Sequence, residues 1–514
     1  MGVNGIYGLS GSGLDVESMV RMGMMTKESQ YNKMQQTYTL NEWKKEAYLE
    51  IYDKVNEYNT STLSKYKYAS NMNARSATSS NSAIKVNASA SAPMINHTIT
   101  VDSTATNAYL LGTKELSSNK LTELGFSSGD TINFSFGTDE SDLKSVDITV
   151  DDTTTVYDLV SKVNSYGINV RATFDSSDNT FSFYNKEMGS ANRLVIQANN
   201  DGAARLLNAM GLKDTGQESS TVISFDETNP VSASGKNAKV YIDGEEIKDV
   251  NKNVFERKGI TYDISGVTTN TSANVSVSQD IDGIIDKVKS FVEDYNKLLD
   301  DLYKAYRETP NKSYKPLTDA QKNEMTEEQI KKWEEKAKAG MLYHDGTLRK
   351  LIDDMRNAIS DKVTSLSNSN YDTAYSIGIS TKGLYGELKL DEDKLRKALV
   401  DDPDSVYNVF GKLDSTADKA SDSRNGIAQR LTGGEGSVFY KATESIKAIA
   451  GTSSDTSDDS TLNVLLRNLQ TRMSNFKSMM TAYENKLYKK YDAMESALAG
   501  LGNQMNYVSN MFSS

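Results

Sequence analysis

Residues 462–512 read LNVLLRNLQTRMSNFKSMMTAYENKLYKKYDAMESALAGLGNQMNYVSNMF, and the spacing of their apolar side chains decides the fold. Apolar residues recur in steps of four and three, which is the heptad pattern of a coiled-coil seam. No proline interrupts the run, so the pattern predicts one helix roughly 75 Å long at about 1.5 Å per residue. The seam positions are Leu462, Leu466, Leu469, Met473, Phe476, Met480, Tyr483, Leu487, Tyr491, Met494, Leu498, Leu501, Met505, Val508 and Phe512.

A seam of this length requires partner helices, because a helix cannot bury its apolar stripe against itself. The step from Tyr483 through Leu487 to Tyr491 is four plus four, a stutter that locally unwinds a left-handed supercoil. A long helix of an ordinary bundle is the alternative interpretation, but the stripe is longer and more regular than compact domains use.

A second helical pattern lies near the other end of the chain. We predict a helix that starts near Asp15, with Ser12 or Asp15 as its cap, and runs to about Tyr68 with one break near 37–40. The Gly-rich residues 1–13 are expected to be disordered when the protein is alone. This helix is the natural partner of the seam, so we expect the two to pack together. Its apolar positions include Val16, Val20, Met24, Tyr31, Met34 and Tyr38.

Composition excludes several classes of protein. A chain of 514 residues exceeds one hydrophobic core, so several domains are expected. The net charge of -12 argues against a nucleic-acid partner. No stretch approaches the roughly 18 consecutive apolar residues of a membrane span. Residues 1–18 lack the basic and apolar regions of a cleavable signal peptide.

The residues that build catalytic and metal sites are scarce. Cysteine is absent, and His97 and His344 are the only histidines, which argues against a thiolate site, a histidine metal site or a catalytic triad. No nucleophile–base pair, phosphate loop or metal cluster can be assembled from the sequence. We therefore predict a protein that is not an enzyme and binds no cofactor or metal.

In the middle of the chain, apolar and polar residues alternate as they do in β-strands. Residues 113–220 are predicted to form a self-contained β-rich unit, nested in a second β-rich domain made of 76–112 and 221–280. Asp243-Gly244 is a hairpin turn signal in the second domain. The predicted elements are strands Thr131–Phe136, Val146–Val150, Val170–Phe174, Thr180–Tyr184, Arg193–Ala198, Val222–Phe225, Lys239–Ile242, Gly259–Ser265 and Ala273–Ser278, with a helix at Val156–Tyr166.

After residue 280 the periodicity changes from two to three and four, which predicts a long helix from Ile284 to Tyr306. The polar segment Glu324–Ala339 is predicted to be a solvated helical insertion, with Ile330 and Trp333 as its large apolar anchors. Its charges fall at i,i+4 spacing in the pairs Glu327/Lys331, Glu328/Lys332 and Glu334/Lys338.

Short motifs at both ends and in the middle occur in a recognisable order. They are Ser12-Gly13-Leu14-Asp15, Asn237-Ala238 with Val240 and Ile242-Asp243-Gly244, Phe291-Val292 with Tyr295-Asn296, Thr347-Leu348-Arg349, Ile377-Gly378-Ile379 with Leu390-Asp391, and Gln504-Met505-Asn506. Together they resemble the flagellar filament cap family, also called hook-associated protein 2. The chain departs from that pattern at the polar helix around Trp333, and residues 113–220 are too generic to align.

The resemblance implies an α+β multidomain fold with long terminal coiled-coil helices, a helical domain and two nested β-rich head domains inserted between them. The implied domains are a leg of 1–40 with 466–514, a helical domain of 41–75 with 281–465, a head domain of 76–112 with 221–280, and an inserted head domain of 113–220.

The resemblance also implies a function. Members are exported through the flagellar secretion channel without a cleaved signal, form a homo-oligomeric ring at the filament tip, and help incoming flagellin to fold and insert. The implied partners are further copies of the chain, flagellin, the hook–filament junction protein and a cytoplasmic export chaperone, with no nucleic acid and no membrane span. The expected docking residues are Leu14, Val20, Met24, Tyr31, Met34, Tyr483, Leu487, Tyr491, Met494, Leu498, Leu501, Met505, Val508 and Phe512.

Two other functions fit the same pattern. The Tyr-rich and Ser/Thr-rich sheets are compatible with an adhesin that binds a host glycan or protein through the head domains. Another filament or junction protein of the flagellin type would also pair terminal helices around a β-rich middle. The ordered internal motifs favour the cap over this last class.

Overall fold

The fold is taken from a computed structural model of the chain, which describes residues 15–216, 221–268, 271–366, 369–383, 385–453 and 457–512. The chain divides into two compact units. A helical unit comprises the residues up to Asn73 and from Ile281 onward, and a β-rich unit comprises Ala74–Asp280. The predicted α+β fold class, with long terminal helices around a β-rich middle, is confirmed. The expected disorder of 1–13 and the docking residue Leu14 lie outside the described residues.

The α-helices are α1 Val16–Glu57, α2 Ala69–Met72, α3 Val156–Ser165, α4 Asp201–Met210, α5 Ile281–Arg307, α6 Asp319–Asn323, α7 Glu327–Ala337, α8 Gly346–Ser360, α9 Glu392–Asp401, α10 Ser405–Phe410, α11 Ile427–Thr432, α12 Val438–Ala450 and α13 Thr461–Phe512. The strands are β1 Arg75–Ser79, β2 Ile84–Ala88, β3 Asn96–Ser103, β4 Asn107–Gly112, β5 Thr131–Gly137, β6 Lys144–Thr149, β7 Val170–Asp175, β8 Thr180–Met188, β9 Arg193–Ala198, β10 Leu212–Asp214, β11 Val231–Ser234, β12 Lys239–Ile242, β13 Glu245–Ile247, β14 Val254–Arg257, β15 Ile260–Ile264, β16 Ala273–Gln279, β17 Ile379–Lys382 and β18 Glu387–Leu390.

The first helix is more regular than its sequence predicts, but it is shorter. Asp15 caps it by accepting a hydrogen bond from the Ser18 amide at 3.0 Å. The predicted break at 37–40 is wrong, since α1 is continuous across it. The α-helix ends instead at Glu57, and a π turn and then a 3₁₀ turn follow it. The α-helix therefore ends about ten residues before the predicted end at Tyr68.

The helical unit is built around α5, which confirms the predicted helix after residue 280. Phe291 on α5 makes edge-to-face contacts with Tyr66 and Phe410 at ring-centroid distances of 5.3 and 4.8 Å. Arg430 on α11 is 2% exposed, and its guanidinium donates to the Asp361 carbonyl, 3.0 Å away, at the C-terminal end of α8. Burial lowers the pKa of Arg430 to about 10.

The polar insertion is helical, as predicted, but it is anchored on the protein rather than solvated all round. Trp333 donates its indole N–H to the Lys315 carbonyl at 2.8 Å, and Ala337 is buried. Of the expected i,i+4 ion pairs, the one between Glu328 and Lys332 is present. The ion pairs of this segment include Glu328–Lys332 at 2.7 Å, Glu334–Lys322 at 2.8 Å and Lys338–Glu46 at 2.7 Å.

In the β-rich unit, a five-stranded sheet of order β1-β16-β3-β12-β13 packs with a three-stranded sheet of order β14-β15-β2. Their shared core includes Ile99, Val240, Tyr262 and Val275. The predicted Asp243-Gly244 turn is confirmed between β12 and β13, with φ of 52° and 84° at its two residues. Positive φ at both positions matches the right-handed twist of the paired strands.

The remaining sheets of this unit have the orders β10-β4-β8-β7 and β11-β9-β5-β6 and enclose a second core. The five strands predicted between Thr131 and Ala198 appear as β5 to β9, and the predicted helix appears as α3. The predicted strand Val222–Phe225 is wrong, because only a single bridge joins Val222 to Lys213. Helix α4 was not predicted; Asn200 caps it and Gly211 ends it.

The pairing of β4 with β8 and of β11 with β9 joins residues outside 113–220 to the second core. The side chains of Ala108 and Leu110 on β4 are fully buried in this second core. We propose that the inserted domain extends from about 107 to 234, with the surrounding domain formed by the residues on either side.

The buried pair of His97 and Tyr262 predicts how stability depends on pH. The Nε2 atom of His97 lies 2.6 Å from the Tyr262 hydroxyl, and burial lowers the pKa of His97, while Asp243 opposes and Lys258 adds to that shift. The folded protein therefore keeps His97 neutral at pH values where an unfolded chain, with a pKa near 6.5, is already protonated. We expect stability to fall as the pH drops below this value, until the lower folded pKa is passed.

Urea unfolding of the parent and of His97→Gln between pH 7.5 and 5 measures this effect. The parent should lose more stability than the variant over that range, since the glutamine does not titrate. Parallel pH curves for the two proteins would show that His97 does not contribute.

Candidate assembly interface

Helices α1 and α13 pack antiparallel in the helical unit. The Lys27 ammonium lies 5.8 Å and 6.0 Å from the ring centroids of Phe476 and Tyr483, and Gly23 faces Leu487. An apolar cluster at this end contains Val16, Val20, Met24 and Leu487, with Met480, Tyr488 and Tyr491 packed against it. The predicted pairing of the N-terminal helix with the C-terminal seam is confirmed for the described residues.

The two helices approach closely at Gly23. A Cβ atom built there would lie 2.7 Å from a terminal methyl group of Leu487, whose side chain is 7% exposed. The absence of a side chain at this position lets Leu487 seat against the α1 backbone. Such a contact fixes the spacing of the helices where the seam changes its repeat.

The buried polar residues Lys45, Ser460 and Asn463 lie at the other end of the helix pair, together with the exposed Asp458. Lys45 on α1 is only 4% exposed, although lysine is almost never buried without a partner. Asp458 accepts hydrogen bonds from the Ser460 amide at 2.9 Å and from the Asn463 side chain at 2.6 Å. These bonds and the nearby charge of Lys45 hold the pKa of Asp458 below its usual range. Polar groups in an apolar seam favour a single register.

The predicted docking residues divide into two groups. Val20, Met24 and Leu487 are buried between α1 and α13, while Tyr31, Met34 and Tyr491 are half-buried. Apart from Leu14, which lies outside the described residues, the others are exposed, and their exposure is greatest at Phe512, the last described residue of α13. The exposed fractions are 37% for Tyr483, 36% for Met494, 41% for Leu498, 60% for Leu501, 76% for Met505, 48% for Val508 and 89% for Phe512.

The exposed end of α13, residues 494–512, has an unusual surface. Every residue from Gly500 to Phe512 is exposed, and Glu495 is the one charged residue in the segment. At about 1.5 Å per residue this segment is roughly 28 Å long. A surface helix normally carries charges opposite its apolar stripe, so an exposed helix of this composition is a candidate site of protein interaction.

Within the described ranges, no group of three or more histidine and acidic side chains is placed to hold a metal ion. None of the helices in those ranges has both the length and the apolar character that crossing a bilayer requires. The burial of Lys45 near Asp458 was missed by sequence reasoning, because the two residues lie more than four hundred positions apart in the chain.

Two family models match the chain. The model described as "Flagellar hook-associated protein 2 C-terminus" matches residues 235–503, and the one described as "Flagellar hook-associated protein 2 N-terminus" matches residues 12–108. A flagellar hook-associated protein 2 of Halalkalibacterium halodurans is 28% identical over 524 residues, covering 95% of this chain and 96% of the relative. One of Thermotoga maritima is 27% identical over 375 residues, covering 71% of this chain and 54% of the relative.

A solved structure shares the fold. The crystal structure of the D1, D2 and D3 domains of the flagellar cap protein FliD from Escherichia coli aligns with a TM-score of 0.51 and 18% identity. The alignment covers 78% of this chain and 96% of that one. The likeness supports the arrangement of a helical unit with a β-rich insertion.

The contact at Gly23 predicts the effect of filling it. We expect Gly23→Leu to weaken the pairing of α1 with α13 by about 1–3 kcal/mol, because the added carbons displace Leu487. Amide exchange across residues 480–491 should then be roughly 5- to 150-fold faster. Gly23→Ala is the milder comparison: its Cβ would also press on the Leu487 methyl group, but the gain of ~1 kcal/mol in helix propensity offsets part of that cost, so we expect a smaller change than in Gly23→Leu. Unchanged exchange in Gly23→Leu would contradict the close approach.

Proposed function

The chain belongs to the flagellar hook-associated protein 2 family, and from that premise we propose that it is a structural cap at the distal end of the bacterial flagellar filament. The observation that carries the proposal is the exposed, nearly uncharged end of α13, residues 494–512. The Escherichia coli protein of the same fold is named a flagellar cap protein. The role requires no catalytic step.

The partner of this segment is helical, because the heptad spacing continues unbroken from Tyr491 to Phe512. Six seam side chains in the segment are exposed, and their burial against a partner helix would stabilise the docked state. The loss of translational and side-chain freedom on association opposes that gain. The six are Met494, Leu498, Leu501, Met505, Val508 and Phe512.

The proposed cap has to release one helical partner and bind another. In this proposal, copies of the chain form a homo-oligomeric ring at the filament tip, promote the folding and insertion of exported flagellin, and prevent its loss. The chain reaches the tip through the flagellar export apparatus with a cytoplasmic chaperone, and it first docks on the hook–filament junction protein. The exposed seam of α13 supports the docking steps, since each needs a helix that has no permanent partner.

Matches to hook-associated protein 2 at both ends of the chain, in 12–108 and 235–503, favour this role over that of a flagellin-type filament or junction protein. Binding of a host glycan or protein by the β-rich unit stays a separate prediction.

A single substitution tests the docking role. Leu501→Asp would place an unpaired carboxylate in the docked seam, at a cost of several kcal/mol. Because Leu501 is 60% exposed in the isolated chain, the variant should still fold and be exported. We expect cells carrying it to swim poorly and to release monomeric flagellin into the medium.

The matched control is Asn503→Asp, which adds the same charge two residues away, outside the seam positions. It should behave like the parent in both assays. Full filaments and normal swimming in Leu501→Asp cells would show that the end of α13 does not dock the protein.

A further inference from the structure

The middle of α1 is helical although its sequence disfavours a helix. Residues 37–41 read TYTLN, and threonine, tyrosine and asparagine are each about 0.5–0.7 kcal/mol less favourable in a helix than alanine. Two of these side chains bond to the helix's own backbone: Thr37 Oγ1 donates to the Lys33 carbonyl at 2.8 Å, and Asn41 donates to the Thr37 carbonyl at 2.7 Å. Threonine bonds of this kind bend helices more often than they stiffen them. The continuity of α1 therefore needs support from outside the helix.

One source of support is the polar segment that the family motifs did not explain, residues 308–345, which we call the arm. It leaves the end of α5 and returns to the start of α8 at nearly the same place. The Gly340 amide donates to the Glu308 carboxylate at 3.0 Å, and the His344 amide donates to the Tyr306 carbonyl at 2.9 Å. The two ends of the arm are thus in contact, so the arm leaves the helical unit and rejoins it at one place.

The arm has its own internal structure. Capping boxes start both of its helices, α6 at Thr318 and α7 at Thr326. Trp333 packs on Tyr314 with ring centroids 4.6 Å apart and also bonds to the Lys315 carbonyl. Leu317 is buried, at 4% exposure. These contacts give the arm a fixed conformation, so it can restrain the helix that it touches.

The arm holds α1 on both sides of residues 37–41. Before that segment, the Gln36 side chain donates to the Pro316 carbonyl at 3.0 Å. After it, Lys338 bonds to Glu46 at 2.7 Å and lies 5.5 Å from the Trp43 ring centroid. Further along, the Tyr48 hydroxyl donates to Asp345. These anchor points span 12 residues of α1, about 18 Å of helix.

We propose that the arm is a splint, which keeps α1 helical across 37–41 by fixing it at Gln36, Trp43, Glu46 and Tyr48. Helices α12 and α13 also pack against α1. Without the arm, residues 37–41 become a hinge, and the N-terminal part of α1 moves relative to the rest of the helical unit. This assignment does not depend on the cap function.

The structure allows the arm to be removed cleanly. Joining Pro310 directly to Gly340 excises 311–339, because the Gly340 backbone already packs against residues 308–310. The excision removes the anchors at Pro316 and Lys338 and keeps the bond between Asp345 and Tyr48. The chain has no cysteine, so nitroxide labels at Ser29→Cys and Asp53→Cys report distances across the proposed hinge. In a continuous helix these positions are about 36 Å apart.

Double electron–electron resonance on the full-length and excised chains tests the proposal. We expect one narrow distance near 36 Å for the full-length protein and a broad, shorter distribution after excision. A control pair on α5, Asp286→Cys and Asp300→Cys, should stay near ~21 Å in both. A narrow, unchanged distance between the α1 labels after excision would overturn the proposal.

If the control pair also broadens, the excised chain is misfolded and point variants decide the question. The double variant Gln36→Met with Lys338→Met removes two anchors and keeps the arm. We expect about tenfold faster amide exchange at 37–41 in it, and no change in Lys332→Met, which loses an ion pair to Glu328 within α7. Equal exchange in the parent and the double variant would contradict the splint.

Discussion

Burial of the apolar stripe of α13 is the interaction on which the helical unit depends. Over its first part the stripe is covered, and Leu462, Leu466, Leu469 and Met473 are all below 10% exposed. Further along, Val20 and Met24 of α1 pack against it. Beyond Met494 the described residues leave it open. The same heptad pattern therefore packs within the chain at the N-terminal end of α13 and leaves an exposed apolar surface at its C-terminal end.

Polar contacts decide how this apolar pairing is aligned. An apolar seam tolerates slippage by a heptad, whereas a buried charge does not, because it must meet its partner. Lys45 and the Asp458 cluster supply that constraint at one end, and the close approach of Gly23 to Leu487 supplies a steric one at the other. With the register set at both ends, the exposed residues of 494–512 are presented at a defined position.

Local patterns in the sequence predicted the elements whose stability is local or periodic. The seam of α13, the strands β5 to β9 and the Asp243-Gly244 turn each carry a signal within a few residues. Helix α4 was missed although Asn200 and Gly211 mark its ends, because its short apolar pattern follows a strand without a clear loop. The break expected in α1 was wrong because contacts from the distant arm outweigh helix propensity. Burial of Lys45 could not be predicted, since Asp458, which lies near it, comes from the other end of the chain.

Protection of residues 494–512 from amide exchange tests the central claim most directly. The free monomer at low concentration should exchange these amides quickly, while those of 462–473 exchange slowly, because only the latter are packed within the chain. When the same protein is bound at the tips of isolated filaments, 494–512 should become protected by at least about a hundredfold. Slow exchange already present in the dilute monomer, or fast exchange that persists at the filament tip, would contradict the account.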